Sequence, residues 1–226
     1  VVKQLLERDH NVRVIVRSPE KLSDAVVNHP NLELVRAELL ELRDDEIMRH
    51  VKDCDAVVSC LGHTLDFKGM FGEPKQLCLQ AVKRLCTAIE CVGAGIPKKF
   101  ILMNTVGVAN PELVESRAWF ERLLLFLLRY TLPPHRDNEM ASEFLFSGVG
   151  KKNAYIEWCS VRPDSLINDE VSVYDIVASP TTGILTGRAT TRANVAHFMV
   201  ELILDDDLWN CWKFRMPVIM DALKRS

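Results

Sequence analysis

The order of apolar and helical segments is the feature that most constrains the fold of this chain. Short apolar runs rich in β-branched residues alternate with longer segments in which apolar residues recur every three or four positions. This alternation favours an α/β protein with a doubly wound, mostly parallel sheet and right-handed crossovers. We predict strands at Asn11–Arg17, Asn31–Val35, Cys54–Leu61, Lys99–Met103 and Ala154–Val161, and helices at Val1–Asp9, Asp44–Val51, Glu73–Val92, Arg117–Arg129, His135–Ser147 and Asn194–Leu204.

The C-terminal third is less regular. Short strands are predicted at Val171–Val177 and Ile184–Arg188, and a last strand at Phe214–Met220. Dividing 226 residues into two domains would leave thin cores, so we expect one domain over 1–226. The part from about residue 164 to 226 is then expected to face the substrate or another subunit.

Composition excludes several classes of function. The net charge of −3 and the absence of a basic tract argue against a nucleic-acid partner. The apolar block Leu123–Leu128 is far shorter than the roughly 20 residues that cross a bilayer, and the amphipathic first residues do not resemble a signal peptide, so we expect no membrane partner.

The cysteines and histidines point to a reducing compartment without a metal site. The count of seven cysteines is odd, none forms a Cys-x-x-Cys, and most lie in apolar runs, which favours reduced, buried thiols in a cytoplasmic protein. His63, His135 and His197 lack partners at the spacings that zinc sites use.

Polar residues or glycine directly follow the predicted strands. Ligands of open parallel sheets bind beyond the carboxyl ends of the strands, so these positions are candidates for a binding crevice. The alternative, that each is an ordinary turn residue, is about as plausible at any one position; their recurrence favours the crevice. The positions are Arg17-Ser18, Ala37-Glu38, Gly62-His63, Asn104-Thr105 and Arg162-Pro163-Asp164.

Arg17 and Lys21 give the most specific indication. A guanidinium after the second strand of a dinucleotide fold, with an ammonium four residues later, suits the 2′-phosphate of NADP, whereas an acidic residue there suits the ribose of NAD. The alternative is a solvated helix start with ordinary surface charge. Gly62 permits close backbone approach to a ligand, or is a simple turn glycine.

Six sequence segments together resemble those of a known superfamily. In their order and spacing the chain resembles the atypical short-chain dehydrogenases/reductases, in particular the NAD(P)H-binding branch of NmrA-like regulators and biliverdin reductase B-type flavin reductases. The segments are Val12–Leu22, Cys54–Gly62, Phe100–Val108, Glu143–Gly148, Cys159–Pro163 and Thr190–Met199.

The resemblance implies a fold, a cofactor and roles for individual residues. It implies a seven-stranded sheet in the order 3-2-1-4-5-6-7 that binds NADP(H). Arg17, Ser18 and Lys21 would hold the 2′-phosphate end, and Thr105 matches the active-site Ser/Thr after the fifth strand. The remaining implied cofactor contacts are Glu38 and Leu39 beside the adenine, Leu61, Gly62 and His63 along the ribose and pyrophosphate, and Asn104, Arg162 and Pro163 toward the nicotinamide.

The chain departs from the family pattern at its start. The glycine-rich Gly-x-x-Gly-x-x-Gly loop, whose backbone amides receive the pyrophosphate, does not stand in this sequence. The strand before it is missing as well. We therefore expect the natural protein to extend roughly 15–25 residues further at its N-terminus.

A second departure concerns catalysis. Dehydrogenases of the superfamily use a Tyr-x-x-x-Lys pair for proton transfer. Those places hold His135 and Glu139 here, and Tyr130 has Pro134 four residues later. His135 is a candidate proton donor, or a helix-start residue beside two prolines.

The sequence leaves three functions open. The first is a reductase that passes hydride from NADPH to a flavin, quinone or enone, with Thr105 orienting the acceptor and His135 or solvent supplying the proton. The second is a non-catalytic NADP(H) sensor that binds a protein partner, and the third is a truncated chain that binds no nucleotide. The segment 117–130 would form a lid over the crevice, a buried core helix or an oligomer surface, for example that of a homodimer. The last two together are favoured over the lid.

Overall fold

The computed structural model describes residues 1–64, 66, 72–93, 95–113, 115, 118–181 and 187–222. The described helices are α1 (Val2–Leu6), α2 (Asp24–Val27), α3 (Asp44–Val51), α4 (Leu77–Val92), α5 (Trp119–Thr131), α6 (Pro133–Glu143), α7 (Arg192–Leu204) and α8 (Asp206–Trp212). The strands are β1 (Val12–Val16), β2 (Leu32–Arg36), β3 (Ala56–Ser59), β4 (Lys98–Met103), β5 (Ile156–Pro163), β6 (Leu166–Ile167), β7 (Tyr174–Val177), β8 (Thr190–Thr191) and β9 (Val218–Asp221).

The central sheet has five strands in the order β3-β4-β5-β9-β7. The first four run parallel and β7 is antiparallel to β9. Ser59 lies opposite Leu102, and Met103 lies opposite Val161, so β3, β4 and β5 end at one edge. Because these strands are parallel, their carboxyl ends face the same side of the molecule.

Helices cover both faces of this sheet, as the alternation of the sequence predicted. Phe100 and Leu102 of β4 pack into one core with α3, α4 and α6, whereas Ile101 between them packs into a second core with α7 and α8. Each of these side chains is at most 1% exposed, and such burial contributes about 1.5–3 kcal/mol for a large apolar residue. The predicted doubly wound α/β class is confirmed.

The β1–β2 pair forms a separate two-stranded parallel ladder. Within the described residues no backbone ladder joins β1 to β3, so the single seven-stranded sheet implied by the resemblance is not present as one sheet. Arg13 of β1 nevertheless donates to the backbone oxygen of His50 at 2.8 Å, which fixes β1 beside the end of α3. The pairing of β2 with β1 matches the 3-2 part of the family order, and the parallel run β3-β4-β5-β9 matches its 4-5-6-7 part.

Several predicted boundaries were wrong. The helix expected to reach Ser147 ends at Glu143 and continues as a π-helical turn, Phe144–Val149, where the Phe144 ring lies against Gly148 so closely that a Cβ there would be 2.9 Å from it. The strand predicted as Cys54–Leu61 is only Ala56–Ser59. The helix predicted from Glu73 begins at Leu77, and α8 was not predicted.

One predicted strand lies mostly outside the described residues, and the prediction of buried cysteines holds in part. The predicted strand Ile184–Arg188 lies mostly in 182–186, outside the described residues. All seven cysteines are free, but the expectation of buried thiols holds only for Cys78, Cys86 and Cys159; Cys60, Cys91 and Cys211 are exposed and Cys54 is half-buried. Among the described helices, none has the length and apolar character needed to cross a bilayer.

Candidate functional site

The carboxyl ends of β1 and β2 carry a cluster of cations. Arg17 and Arg36 follow or end these paired strands, and Lys21 closes a short 3₁₀ turn after Ser18. All three cationic side chains are exposed. In the part of the chain that the structure describes, neither Arg17 nor Lys21 forms an ion pair, so both charges are available to an anionic ligand. Arg36 was not singled out from the sequence.

The carboxylate of Glu20 lies close to two of these cations, Lys21 and Arg36. The pKa of Glu20 is lowered, chiefly by a hydrogen bond from its own backbone N–H and to a smaller extent by the Ser18 hydroxyl and the charges of Arg36 and Lys21. Glu20 is fully exposed, so solvent screens these interactions. The strand ends therefore keep a positive balance of charge.

The segment after β2 is fixed by Arg84 of α4. This guanidinium donates to the backbone oxygens of Leu39 at 3.2 Å, of Leu40 at 2.8 Å and of Leu42, and pairs with Asp44 at 2.7 Å. Leu39 itself packs against the core on the α4 side of the sheet. Its side chain is thus committed to packing. The predicted site residue Glu38 is exposed.

The ends of β3, β4 and β5 form the second group of predicted site residues. The Asn104 N–H donates to Val161 at 2.8 Å, so the chain after β4 stays beside β5. Leu61 accepts from the Cys78 thiol at 3.4 Å, and a Cβ built on Gly62 would meet no atom within 4 Å. The backbone at Gly62 is therefore open to close approach by a ligand.

Helix α6 lies across these strand ends and anchors Asn104. The Asn104 amide donates to the Ser142 hydroxyl at 2.5 Å and to the backbone oxygen of Asn138 at 3.0 Å. Ser142 in turn lies 3.2 Å from the hydroxyl of Ser160 on β5. Asn104 also accepts from the Thr105 N–H at 2.8 Å, so its side chain orients Thr105 rather than standing free in the crevice.

The two catalytic candidates of the sequence both lie close to Gly107. A Cβ at Gly107 would be 3.3 Å from the His135 ring and 3.8 Å from the Thr105 hydroxyl, so both side chains lie next to this glycine. Thr105 accepts the Gly107 N–H at 3.3 Å. The structure therefore brings Thr105 and His135 together at the end of β4.

Residues in the places of the superfamily's Tyr-x-x-x-Lys interact with each other. Nε2 of His135 lies 3.7 Å from a Glu139 oxygen one turn later, and Glu139 also pairs with Arg129 at 3.1 Å. His135 is 8% exposed. An imidazole in contact with a carboxylate can hold or release a proton.

A buried carboxylate that the sequence did not reveal organises the same region. Asp137 of α6 is 1% exposed, and its two oxygens accept the backbone N–H groups of Cys78 at 2.7 Å and Leu79 at 2.9 Å. These amides belong to the first turn of α4, which has no cap from its own sequence. Asp137 thus caps α4 from another helix.

The same carboxylate holds His63. Nε2 of His63 lies 2.8 Å from Asp137, and both side chains are almost fully buried. With the Cys78 thiol they bring three possible metal-ligating atoms within 4.8 Å of one another. Burial strongly raises the pKa of the Cys78 thiol, which disfavours the thiolate a metal would need. The carboxylate is also already shared by two amides and an imidazole, so the geometry fits a helix cap better than a metal centre.

The side chain of Arg162 lies in the protein interior. Its guanidinium is fully buried, pairs with Glu115 at 2.6 Å and donates to the backbone oxygens of Val108, Met216 and Ala178. The side chain is therefore used within the protein, which leaves the backbone of Arg162 as the part that could contact a cofactor. Pro163 accepts from the Val106 N–H at 2.9 Å, which also places its backbone at the strand ends.

Two cavities differ in their relation to these residues. One of about 450 Å³, bordered by Asp53, Asp55 and Lys98, lies at the amino ends of β3 and β4, which is the wrong edge for a ligand of a parallel sheet. One of about 180 Å³, bordered by Cys60 and Met103, lies at the carboxyl ends and is mainly apolar. We regard only the second as part of the candidate site.

The structure thus forms two groups of site residues. Arg17, Ser18, Lys21, Glu38 and Leu39 follow β1 and β2. The second group follows β3, β4 and β5, and His135 joins it from α6. No hydrogen bond between the groups is found in the described ranges. The polar stripe at His135, Asn138 and Ser142 on the predicted helix was the sequence signal that could have revealed α6 as a wall of the site.

Comparison with known proteins gives a consistent result. The family model for NAD(P)H-binding domains matches residues 1–206. The chain is similar in fold to a short-chain dehydrogenase/reductase from Veillonella parvula solved with NADP, with a TM-score of 0.67, 14% identity and coverage of 97% of this chain and 87% of that one. No curated protein matches the chain.

Two further solved structures share the fold. One is a proposed NADH-flavin reductase from Streptococcus pneumoniae, with a TM-score of 0.63, 16% identity and coverage of 98% of this chain and 92% of that one. The other is Gre2 of Candida albicans, solved with NADPH, with a TM-score of 0.61, 14% identity and coverage of 97% and 73%. At these identities the likeness shows a shared fold and no more than that.

Proposed function

The chain belongs to the family of NAD(P)H-binding domains, and from that premise we propose that it binds NADPH and passes hydride to a flat, conjugated acceptor such as a flavin, a quinone or an enone. The observation that carries the proposal is that His135 of α6, a helix without the Tyr-x-x-x-Lys pair, lies close to Thr105 at the end of β4. Similarity in fold to a proposed flavin reductase and to a protein solved with NADPH supports it.

The described residues fit the adenosine end of NADPH. Arg17 and Lys21 are exposed cations at a strand end, and a 2′-phosphate would take charge-assisted hydrogen bonds from them. Glu38 would lie toward the adenine, and the open backbone at Gly62 would admit the ribose.

The reaction would ask little of the protein beyond orientation. Bound NADPH would supply the hydride. The Thr105 hydroxyl, held by the backbone of Gly107, would orient the acceptor, and His135 would hold a proton beside Glu139 for delivery to the reduced product. A conjugated acceptor spreads the negative charge it receives, so water can replace His135 in that role.

A non-catalytic sensor of NADP(H) is the second candidate. The contacts of Glu139 with His135 and Arg129 favour it, because the residues in the Tyr-x-x-x-Lys places then have a structural role that needs no catalysis. Steady consumption of NADPH with flavin mononucleotide or a quinone would select the reductase. Binding of NADPH without turnover with any of these acceptors would select the sensor.

The cofactor preference gives the sharpest test. We expect NADPH to bind roughly 10–100-fold more tightly than NADH, because a charge-assisted hydrogen bond is worth about 1.5–3 kcal/mol. Arg17→Asp should abolish this difference in affinity. Arg49→Asp is the matched control, since Arg49 is an exposed arginine in the last turn of α3, away from the strand ends. Titration of both nucleotides by calorimetry measures the preference; if Arg17→Asp leaves it unchanged, Arg17 does not contact the 2′-phosphate.

A further inference from the structure

Helix α5 presents an apolar face that no described part of the chain covers. Its inner leucines are half-buried against the protein, while six outward side chains are 45–77% exposed. These six, which we call the α5 seam, are Trp119, Phe120, Leu123, Phe126, Leu127 and Tyr130.

The seam is larger than an ordinary exposed patch. With aromatic side chains of about 150–250 Å² each, its exposed surface comes to roughly 600–700 Å². The largest apolar patch of a monomeric protein is about 300–600 Å², whereas each partner of a standard interface contributes about 800 Å². The seam therefore approaches the area that a stable protein contact needs.

The spacing of the seam is the same when read in either direction. Trp119, Leu123, Phe126 and Tyr130 follow one another at intervals of four, three and four residues. These intervals are those of a coiled-coil seam, and they are unchanged when the helix is reversed. An antiparallel second copy of α5 would therefore place Leu123 against Phe126 of the partner subunit, and Trp119 against Tyr130 of the partner subunit.

Charge does not oppose this pairing. None of the six seam residues is charged, and Arg129 at the margin is already paired with Glu139 at 3.1 Å. Glu121, the acidic residue of this helix, is buried and accepts the Ala118 N–H instead of facing outward. The rings of Phe126 and Tyr130 are also in contact, with centroids 4.9 Å apart, so part of the surface is ordered before association.

We propose that the α5 seam is the interface of a two-fold symmetric homodimer, in which the α5 helices of two copies pack antiparallel with Leu123 facing Phe126 across the axis. Such an interface is isologous and closes on itself, because each copy offers the same surface to the other. The proposal does not depend on the proposed function, since none of the seam residues belongs to the candidate site.

The test uses the register of the pairing. Leu123→Glu and Phe126→Lys should each make the chain monomeric, with the dimer dissociation constant raised at least about 100-fold, because each dimer would bury unpaired charges. An equimolar mixture of the two variants should form a heterodimer, in which Glu at 123 of one copy faces Lys at 126 of the other. Ile96→Glu, at an isolated residue 80% exposed, is the matched control and should leave the dimer intact.

Sedimentation velocity on the wild-type chain, the single variants and their mixture measures these outcomes, and circular dichroism checks that each variant is folded. A wild-type monomer at tens of micromolar would overturn the proposal. So would a wild-type dimer that both substitutions leave unchanged, or a mixture that stays monomeric. Flotation with vesicles of phosphatidylcholine and phosphatidylserine tests a lipid surface as the alternative partner of the seam. A monomeric chain that binds these vesicles through the seam would support that alternative and overturn the proposed dimer.

Discussion

Substitution of Asp137 should test directly which contacts hold the candidate site together. Its carboxylate joins three segments that are distant in sequence: it lies on α6, caps the first turn of α4 and holds His63 after β3. Replacing it with alanine removes the acceptor of two amides and the partner of one imidazole. All of these groups lie where water has little access.

The cost follows from those contacts. A buried amide left without an acceptor costs about 1–3 kcal/mol, and hydrogen bonds to a charged group are at the upper end of that range. Two amides and the His63 contact, with some relaxation of the α4 N-terminus toward water, lead us to expect that Asp137→Ala lowers the free energy of unfolding by about 3–5 kcal/mol. Asp137→Asn should cost about half as much, because its amide oxygen can still accept one of the two N–H groups.

A matched control is available on α8. Asp205 also caps a helix, accepting the Leu208 N–H at 3.0 Å, but it is exposed. Because water can replace the lost acceptor there, Asp205→Ala should cost only about 1 kcal/mol. The comparison therefore isolates the effect of burying the capping carboxylate.

Urea denaturation followed by far-ultraviolet circular dichroism, with equal denaturant slopes checked for all variants, gives the free energies. Hydrogen exchange should in addition show faster exchange at Cys78 and Leu79 in Asp137→Ala. If Asp137→Ala and Asp205→Ala cost the same, or if those two amides keep their protection, the carboxylate does not cap α4 as described.

Three further predictions follow from other groups. Arg162→Met should lower the free energy of unfolding by about 3–5 kcal/mol because it removes the cation that pairs with the buried Glu115 carboxylate, and adding Glu115→Gln should recover part of that loss in the same denaturation assay. Burial raises the pKa of Asp164 above its ordinary value of 3.8, so its contribution to stability is present below pH 3.8 and is lost as pH rises through the raised pKa; Asp164→Asn should therefore be more stable than wild type at pH 7, and a difference that does not shrink below pH 3.8 would contradict this. Among the thiols, the exposed Cys91 and Cys211 should react with a disulfide reagent in the native protein, whereas the buried thiols should react only on unfolding, and mass spectrometry of the labelled peptides can show the difference. The buried thiols are Cys78, Cys86 and Cys159.

Much of the fold was determined by local pattern. The apolar run around Phe100–Leu102 and the helical spacing of Cys78 to Ile89 each depend on neighbours in the sequence, and both were predicted to within a few residues. The ends of the strands follow from the same pattern, which is why Arg17, Gly62 and Asn104 could be singled out. Boundaries were less accurate, because the end of α6 at Glu143 depends on how the Phe144 ring packs on Gly148.

The tertiary structure decided what those residues do. Sequence spacing cannot show that Asp137 caps a helix that begins 60 residues earlier, that Asn104 is used to orient Thr105, or that the guanidinium of Arg162 turns inward. It also left the fate of the 117–130 segment open among lid, core and interface; the structure excludes a buried core helix because its apolar face is exposed. Local periodicity fixes which face of an element is apolar, whereas the partner of each buried polar group depends on contacts between segments far apart in the chain, and only the folded structure supplies those.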